Sequence, residues 1–379
     1  MSKSIAANPS GEDSKAPLIN QRTVIITLFV VAAVSCLFLY HTANPFEFLP
    51  RSSAYDVIAP SMKAQKSSND PSLEKILKRA AMGDNTVIIT TLNQAWAEPN
   101  SIFDIFLESF RTGNGTGKLL DHLVVVALDS KALDHCLSTH PHCYALNTSG
   151  LDFSGKEAYF MTSSYLEMMW IRIRLLSDVL AMGYNFVFTQ DADIVWLQNP
   201  FQRFDPDADF QIACDRFSGN SFNLRNEPNG GFNYVKSNNR TIEFYKFWYN
   251  SRKMFPGLHD QDVLNEIKFD PYIQKIQVKI RFLDTKYIAG FCQVSQDFNA
   301  VCTMHANCCF GLEAKITDLR LALEDWRNFM ELPPDQKSLP RSWTVPKKCR
   351  ETPFHPPDES PNSLPPAAPK ISAQEGNNQ

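Results

Sequence analysis

Three stretches of this chain are apolar or β-branched runs that break off at a polar side chain. They are Thr86-Val-Ile-Ile-Thr-Thr-Leu92 before Asn93, His122-Leu-Val-Val-Val-Ala-Leu128 before Asp129, and Asn185-Phe-Val-Phe-Thr189 before Gln190 and Asp191. Strands apolar on both faces belong to parallel sheets covered by helices, and ligands of such sheets bind outside the carboxyl ends of the strands. Segments of helical spacing lie between these runs. Ser72 precedes Leu73, Ile76, Leu77 and Ala80; Ser101 precedes Ile102, Phe103, Phe106 and Phe110; Tyr165 to Met182 reads as a long helix stopped at Gly183. Asp209 to Cys214, Gly231 to Val235 and Val278 to Leu283 read as further strands, and Thr241 to Trp248 and Glu313 to Phe329 as further helices. The alternation predicts an α/β fold with a mostly parallel central sheet flanked by helices and a few antiparallel additions.

The 379 residues exceed one ordinary domain, but the ends are not domain-like. Thr23 to Tyr40 is an uncharged apolar run of about the length that crosses a bilayer. A cleaved signal peptide is the competing reading, and His41-Thr42-Ala43 is a poor cleavage site. The composition therefore divides the chain into a cytosolic tail (1–22), a transmembrane signal anchor (23–40), a stem (41–71), a luminal domain (72–349) and a disordered, Pro-rich tail (350–379).

Of nine cysteines, Cys36 lies in the apolar run, and Cys136, Cys143, Cys214, Cys292, Cys302, Cys308, Cys309 and Cys349 follow it. An even number beyond the anchor fits disulfides in an oxidising lumen, with adjacent Cys308 and Cys309 pairing outward. Zinc held by Cys302, Cys308, Cys309 and His305 is the alternative, at a spacing that matches no common zinc motif. Asn114, Asn147 and Asn239 head glycosylation sequons. A net charge of −4 provides no basic footprint for nucleic acid.

Asp191 and Asp193, one residue apart at a strand end, would repel each other and raise each other's pKa, so a divalent cation is their natural third party. The spacing alone is weak. It recurs at Asp205/Asp207, Asp207/Asp209 and Asp260/Asp262, where turns and a helix start explain it. What singles out Asp191/Asp193 is the strand before it, with a strand-end turn or a helix cap as the bland alternative.

Asn229-Gly230-Gly231-Phe232-Asn233 sets two glycines between amides, which would let backbone approach a ligand and recognise hydroxyls, or would simply turn into a strand. His259-Asp260-Gln261-Asp262 either caps a helix or meets a polyhydroxyl ligand. His305, between cysteines, is either a metal ligand or a locked polar residue. Arg172 and Arg174, on the long helix, either meet phosphate or line a solvated face. No Gly-x-Gly-x-x-Gly follows the first strand and no Walker loop is present, which argues against a nicotinamide enzyme or an NTPase.

Taken in order, Thr86 to Asn93, Tyr165-Leu-Glu-Met-Met-Trp170, Asp191-Ala-Asp193, Asn229 to Asn233, His259-Asp-Gln-Asp262 and His305-Ala-Asn-Cys-Cys309 resemble plant glycosyltransferase family 77, the nucleotide-diphospho-sugar transferase domain. The resemblance spans roughly Ser72 to Trp343. It implies a GT-A fold, a type II Golgi membrane protein with a luminal catalytic domain, and a nucleotide-sugar donor, usually UDP-linked. It further implies retaining transfer, with xylose or arabinose passed to cell-wall polysaccharide or glycoprotein. By the same resemblance Asp191, Asp193 and His305 are the ligands of Mn²⁺ or Mg²⁺. Thr90, Thr91 and Asn93 meet the nucleotide, and Asp260 and Gln261 border the donor sugar. Gln190, between strand and acidic pair, makes the aim of Asp191 less fixed than that of Asp193.

No residue is a compelling nucleophile, so same-face attack near Gln261 or Asp260 is the expected route. A non-catalytic, membrane-anchored sugar-binding or scaffold subunit is the alternative, and metal-dependent nucleotide hydrolysis a third. Stem and anchor would permit a homodimer.

Overall fold

The structure, a computed structural model, describes residues 72–148, 150–151, 153–155 and 160–351. The expected cytosolic tail, anchor and stem, and residues 352–379 of the expected tail, lie outside the described residues. Among the described residues, no helix is long and apolar enough to cross a membrane.

The three polar-ended runs are strands: β1 (Thr86–Leu92), β2 (Leu123–Ala127) and β4 (Asn185–Thr189). With β3 (Cys143–Ala145), β6 (Phe210–Arg216), β7 (Glu227–Val235) and β8 (Ile280–Phe282) they form a sheet in the order β3-β2-β1-β4-β7-β6-β8. The pairs β3/β2, β2/β1, β1/β4 and β6/β8 are parallel. Only β7 runs against its neighbours β4 and β6. Successive strands move outward from β1 to β3, and the chain then returns to β1's other side as β4. Strand order therefore reverses between β1 and β4, where α/β sheets open a ligand crevice.

Both faces of the sheet are covered, which is why its strands read as continuous apolar runs. Alternation along each strand sends Val87, Ile89, Val124, Val126, Phe186 and Phe188 to one face. There they pack on α1 (Leu73–Ala80), α5 (Ser163–Ala181) and α6 (Asn239–Ser251). Ile88, Val125 and Val187 face the other way, toward Phe103, Phe106 and Phe110 of α3 (Ile102–Thr112). Each of these phenylalanines is fully buried, which stabilises the fold by about 1.5–3 kcal/mol apiece.

The polar residues at strand ends begin helices. Asn93 Oδ1 accepts from Trp96 N at 3.3 Å and caps α2 (Gln94–Ala97). Asp129 accepts from Ala132 N at 2.9 Å, capping α4 (Ser130–Thr139), and from Gln94 N at 2.7 Å. The expected strand at Gly231 begins earlier, at Glu227, so the Asn229-Gly230-Gly231 segment lies within β7. Its partner register on β6 jumps from Ile212↔Asn233 to Ala213↔Asn229. The segment between bulges away from β6, and the glycines supply that freedom.

A second sheet, β5 (Ile194–Trp196), β10 (Thr303–His305) and β9 (Ile288–Gly290), continues from the acidic pair. Disulfides join Cys136–Cys143, Cys292–Cys308 and Cys309–Cys349, so Cys308 and Cys309 pair outward. Cys214 and Cys302 are free and buried. With Cys308 and Cys309 oxidised, the zinc alternative loses its ligands.

Candidate active site

Between β4 and β5 the chain makes a tight turn, Gln190–Ala192, in which Asp191 (φ 56°) and Ala192 (φ 60°) are both left-handed. Two successive residues in that region are costly for non-glycine side chains and persist only when the surroundings hold them. The turn sends the two carboxylates to different partners.

Asp193 goes to the small sheet. β10 pairs antiparallel with β5, with His305 opposite Ile194, and Ala306 N donates to Asp193 O at 3.0 Å. His305 Nε2 therefore lies 3.2 Å from Asp193 Oδ1. On the other oxygen, Lys315 Nζ, from α8 (Leu312–Met330), donates to Oδ2 at 2.6 Å. Burial by itself would raise the Asp193 pKa; Lys315 and then His305 outweigh it and hold the carboxyl well below the usual range.

Asp191 turns instead to α5. Arg172, buried on that helix, donates from Nη2 to Asp191 Oδ1, and Thr91 Oγ1 lies 3.2 Å from the same oxygen. Gln190 Nε2 reaches Asp191 Oδ2 at 3.4 Å and Met169 Sδ at 3.3 Å. Burial raises the Asp191 pKa, and Arg172 only partly opposes that.

The bulged glycines face these groups. A Cβ on Gly231 would collide with His305 Cε1 and come within 2.8 Å of Asn229 Oδ1, so a glycine is what lets the imidazole sit there. Gly230 N donates to Gln261 Oε1 at 2.9 Å. Gln261 lies in the first turn of α7 (Asp260–Ile267), whose cap is His259, with Nδ1 accepting from Gln261 N at 3.1 Å. Asp260 is buried, and Trp248 Nε1 donates to its backbone carbonyl at 2.8 Å. Burial would lower the His259 pKa, but the neighbouring Asp260 carboxylate raises it overall.

The fit of a divalent cation can be judged from these atoms. Asp193 Oδ1 is buried and has no hydrogen-bond partner, although His305 Nε2 stands 3.2 Å away. A ligand nitrogen and a ligand oxygen converging on one ion would stand so. Asp191 is committed to Arg172 and Thr91, and among the described residues no three His, Cys, Asp or Glu side chains converge. Two protein ligands fit, and a cation that keeps water and substrate phosphate oxygens needs few protein ligands.

Around this point the structure gathers Thr91, Arg172, Asp191, Asp193, Asn229, Gly230, Gly231, Asp260, Gln261 and His305. Asn93 spends its side chain on capping α2, and Thr90, one residue from Thr91 on a strand, points to the opposite face with its hydroxyl unpartnered. Two residues of the site are absent from the sequence reading. Lys315 carried no signal, being an ordinary base early in a helix. Asp215 did: it follows the run Asp209 to Cys214 at a strand end, the same feature that marked Asp191. It accepts from Asn229, Gln261 and Asn307 side chains at 2.7–2.9 Å.

Comparison with known proteins identifies the family. The sequence model of the nucleotide-diphospho-sugar transferase family matches residues 118–319. Uncharacterized protein At4g15970 of Arabidopsis thaliana is 52% identical over 278 residues, covering 73% of each chain. Uncharacterized protein At1g28695 of the same plant is 41% identical over 282 residues, 72% of this chain and 84% of its own. Arabinosyltransferase RRA2, also from Arabidopsis thaliana, is 26% identical over 224 residues, 54% of this chain and 49% of its own. With carboxylates, an imidazole and a lysine gathered at the strand-order reversal, and with these matches across most of its described length, the chain belongs to the nucleotide-diphospho-sugar transferase family of glycosyltransferases.

Proposed function

We propose that this glycosyltransferase moves a pentose, xylose or arabinose, from a UDP-sugar to a cell-wall polysaccharide or glycoprotein, with retention of configuration and with Mn²⁺ or Mg²⁺. The single observation that carries the metal-dependent reading is the buried Asp193 Oδ1, which lies 3.2 Å from His305 Nε2 but outside hydrogen-bond geometry. Asp193 and His305 would hold the cation, which would offset the charge of the departing nucleotide diphosphate. Lys315 adds a fixed positive charge beside Asp193, and Arg172 another beside Asp191. Both suit a diphosphate, whose charge grows as the glycosidic bond breaks.

Asp260 and Gln261 flank Gly230 at the rim and are the groups placed to meet the donor sugar's hydroxyls. Gln261 already spends Oε1 on Gly230 N and Nε2 on Asp215, so it is a positioning group, not a nucleophile. That supports same-face attack. The sheet order, with its crevice at the β1/β4 reversal, supports a GT-A arrangement. The pentose rests on the likeness to an arabinosyltransferase. The apolar run Thr23 to Tyr40 and the disulfides support an anchored protein with its site in the Golgi lumen.

The test is turnover by the full-length chain with a panel of UDP-sugars, with Mn²⁺ and after chelation, the product anomer being read by NMR. Metal-dependent transfer or slow donor hydrolysis is expected with a UDP-pentose. An inverted product overturns retention. Absence of turnover with every donor favours the non-catalytic sugar-binding subunit, and nucleotide cleavage without sugar preference favours a hydrolase.

A further inference from the structure

The segment Tyr165-Leu-Glu-Met-Met-Trp170 gives the crevice two side chains of its own, Tyr165 and Met169. Thr162 caps α5 and accepts from Tyr165 N at 3.4 Å, so Tyr165 lies in the first turn of that helix. Residues 165, 169 and 172 are spaced by four and then three, and so share one helix face. At one end of this stripe Arg172 donates to Asp191. In the middle, Met169 Sδ takes Arg172 Nη1 and Gln190 Nε2, each at 3.3 Å. At the other end the ring of Tyr165 stands edge-on to His259, the cap of α7, with centroids 6.2 Å apart. Phe160 packs edge-on to both rings, at 5.2 and 5.3 Å. The apolar cluster of Leu128, Phe153, Met168 and Met169 supports the tyrosine from behind.

That position closes a frame around the bulge of β7. A Cβ on Gly230 would lie 3.5 Å from Asp260 Oδ2 and 3.8 Å from Gln190 Oε1, so two oxygens look onto one spot. Gln190 touches Met169 and Asp260 follows His259, which puts Tyr165 across from Gly230, between the two sides. Burial pushes its phenol well above the ordinary value, and the charges acting on it are those of the site, Asp260 foremost, then Arg172, Asp191 and Asp193. A phenol keeps its proton at neutral pH in any case, and so can donate. Gln190 turns its NH₂ group to Asp191 Oδ2 at 3.4 Å, which leaves its oxygen as an acceptor toward Gly230. One donor and two acceptors around one spot suit a hydroxyl group, which both gives and takes hydrogen bonds. A phosphate only accepts, and the two oxygens would repel it.

We propose that Tyr165 is a specificity-determining residue of the transfer site: its ring walls the space over Gly230, and its hydroxyl donates to a hydroxyl oxygen of the donor sugar. This assignment rests on the nucleotide-sugar donor proposed above, and adds the group that tells a UDP-sugar from UDP itself.

Titration calorimetry of the full-length chain in Mn²⁺ tests it, with UDP, UDP-xylose and UDP-arabinose as probes of the wild type and of Tyr165→Phe. The substitution keeps the ring and its packing and removes only the donor. In the wild type at least one of the two UDP-sugars is expected to bind more tightly than UDP. Tyr165→Phe is expected to weaken that UDP-sugar about 3–10-fold, the worth of one hydrogen bond, and to leave UDP unchanged. Retained UDP binding also shows that the variant is folded. Tyr165→Leu, which removes the wall as well, is expected to weaken the UDP-sugar further with UDP again unchanged. An equal loss for UDP and UDP-sugar in Tyr165→Phe puts the hydroxyl on the diphosphate and overturns the proposal. An unchanged UDP-sugar affinity in that variant overturns it too, as does a wild type that binds neither UDP-sugar more tightly than UDP. A wild type that binds none of the three overturns the nucleotide-sugar reading itself, and so the two failures are told apart.

Discussion

The two ends of the seven-stranded sheet use similar polar side chains to opposite effect. At the amino end, where β2 and β3 begin, the polar groups close the fold. His140 donates from Nε2 to Leu123 O at 2.7 Å, His122 Nδ1 meets Ala80 O at 2.8 Å, and the Cys136–Cys143 disulfide ties α4 to β3. Among the described residues, His142 Nδ1 is the one side-chain atom there left buried without a hydrogen-bond partner. At the carboxyl end of β1 and β4 the hydroxyls of Thr90 and Thr189, Arg172 Nε and Asp193 Oδ1 are all buried without partners. Each such atom costs stability, and at Asp193 Oδ1, beside His305, a bound ligand would offset that cost. One end is built for stability, and the other gives some up for function.

The sharpest way to break that contrast is Lys315→Met. It leaves the buried Asp193 charge without its closest cation and should cost about 3–5 kcal/mol in urea unfolding. Mn²⁺ should restore part of the loss; a loss below about 1 kcal/mol, the value of an exposed pair, would mean the pair is solvated. Next in size, Asp193→Asn should lower kcat about 10²–10³-fold, the usual loss when one element of charge stabilisation goes, with the fold intact by circular dichroism. Unaltered kcat would remove Asp193 from the chemistry.

Changes at the amino end should touch stability alone. Cys136→Ser with Cys143→Ser opens a bridge of sequence separation 7 and should cost about 2–3 kcal/mol while kcat stays at the wild-type value. A fall in kcat for the folded variant would show that the two ends are coupled. Gly231→Ala, back at the carboxyl end, should cost about 1–3 kcal/mol by overpacking against His305 and weaken Mn²⁺ binding in titration calorimetry.

The smallest effect is a pH slope. Burial holds His140 and His142 below the ordinary histidine value, with Arg111 and Arg79 adding to it and Asp121 opposing. A base whose folded pKa is lowered gives stability that is complete above about pH 6.5 and is lost as pH falls from there toward the folded value. The midpoint of thermal unfolding should therefore drop below about pH 6.5. His140→Phe combined with His142→Phe should flatten that drop, and an unchanged slope would place its source at the carboxyl end.

Much of this was legible in the sequence because burial leaves a periodic trace. The run Thr86 to Leu92 is β1 residue for residue, and Ile102, Phe103, Phe106 and Phe110 all lie on the buried side of α3. The structure brings Asp193, His305, Gly231 and Gln261 to one crevice. The glycine segment, which reads from sequence as a ligand contact or as a turn into a strand, lies within β7 as a bulge, since a bulge depends on the register of β6, which local pattern does not carry. Asn93 looked like a nucleotide contact and is occupied by a helix cap, a local hydrogen bond that wins over any distant one.

By itself, then, the sequence determined the longer strands, the main helices and the end of the sheet where polar chemistry would gather, because alternation and helical spacing report which face is buried. Only the tertiary structure decided that Asp191 turns to Arg172 while Asp193 turns to His305, through two left-handed residues in the intervening turn. It alone brought Lys315 to Asp193 across 122 positions of chain, and closed the amides of Asn229, Gln261 and Asn307 around Asp215. Those contacts follow from how β5, β7 and β10 pair and from where α7 and α8 begin. Pairing between distant strands leaves no period in the chain from which it could be read.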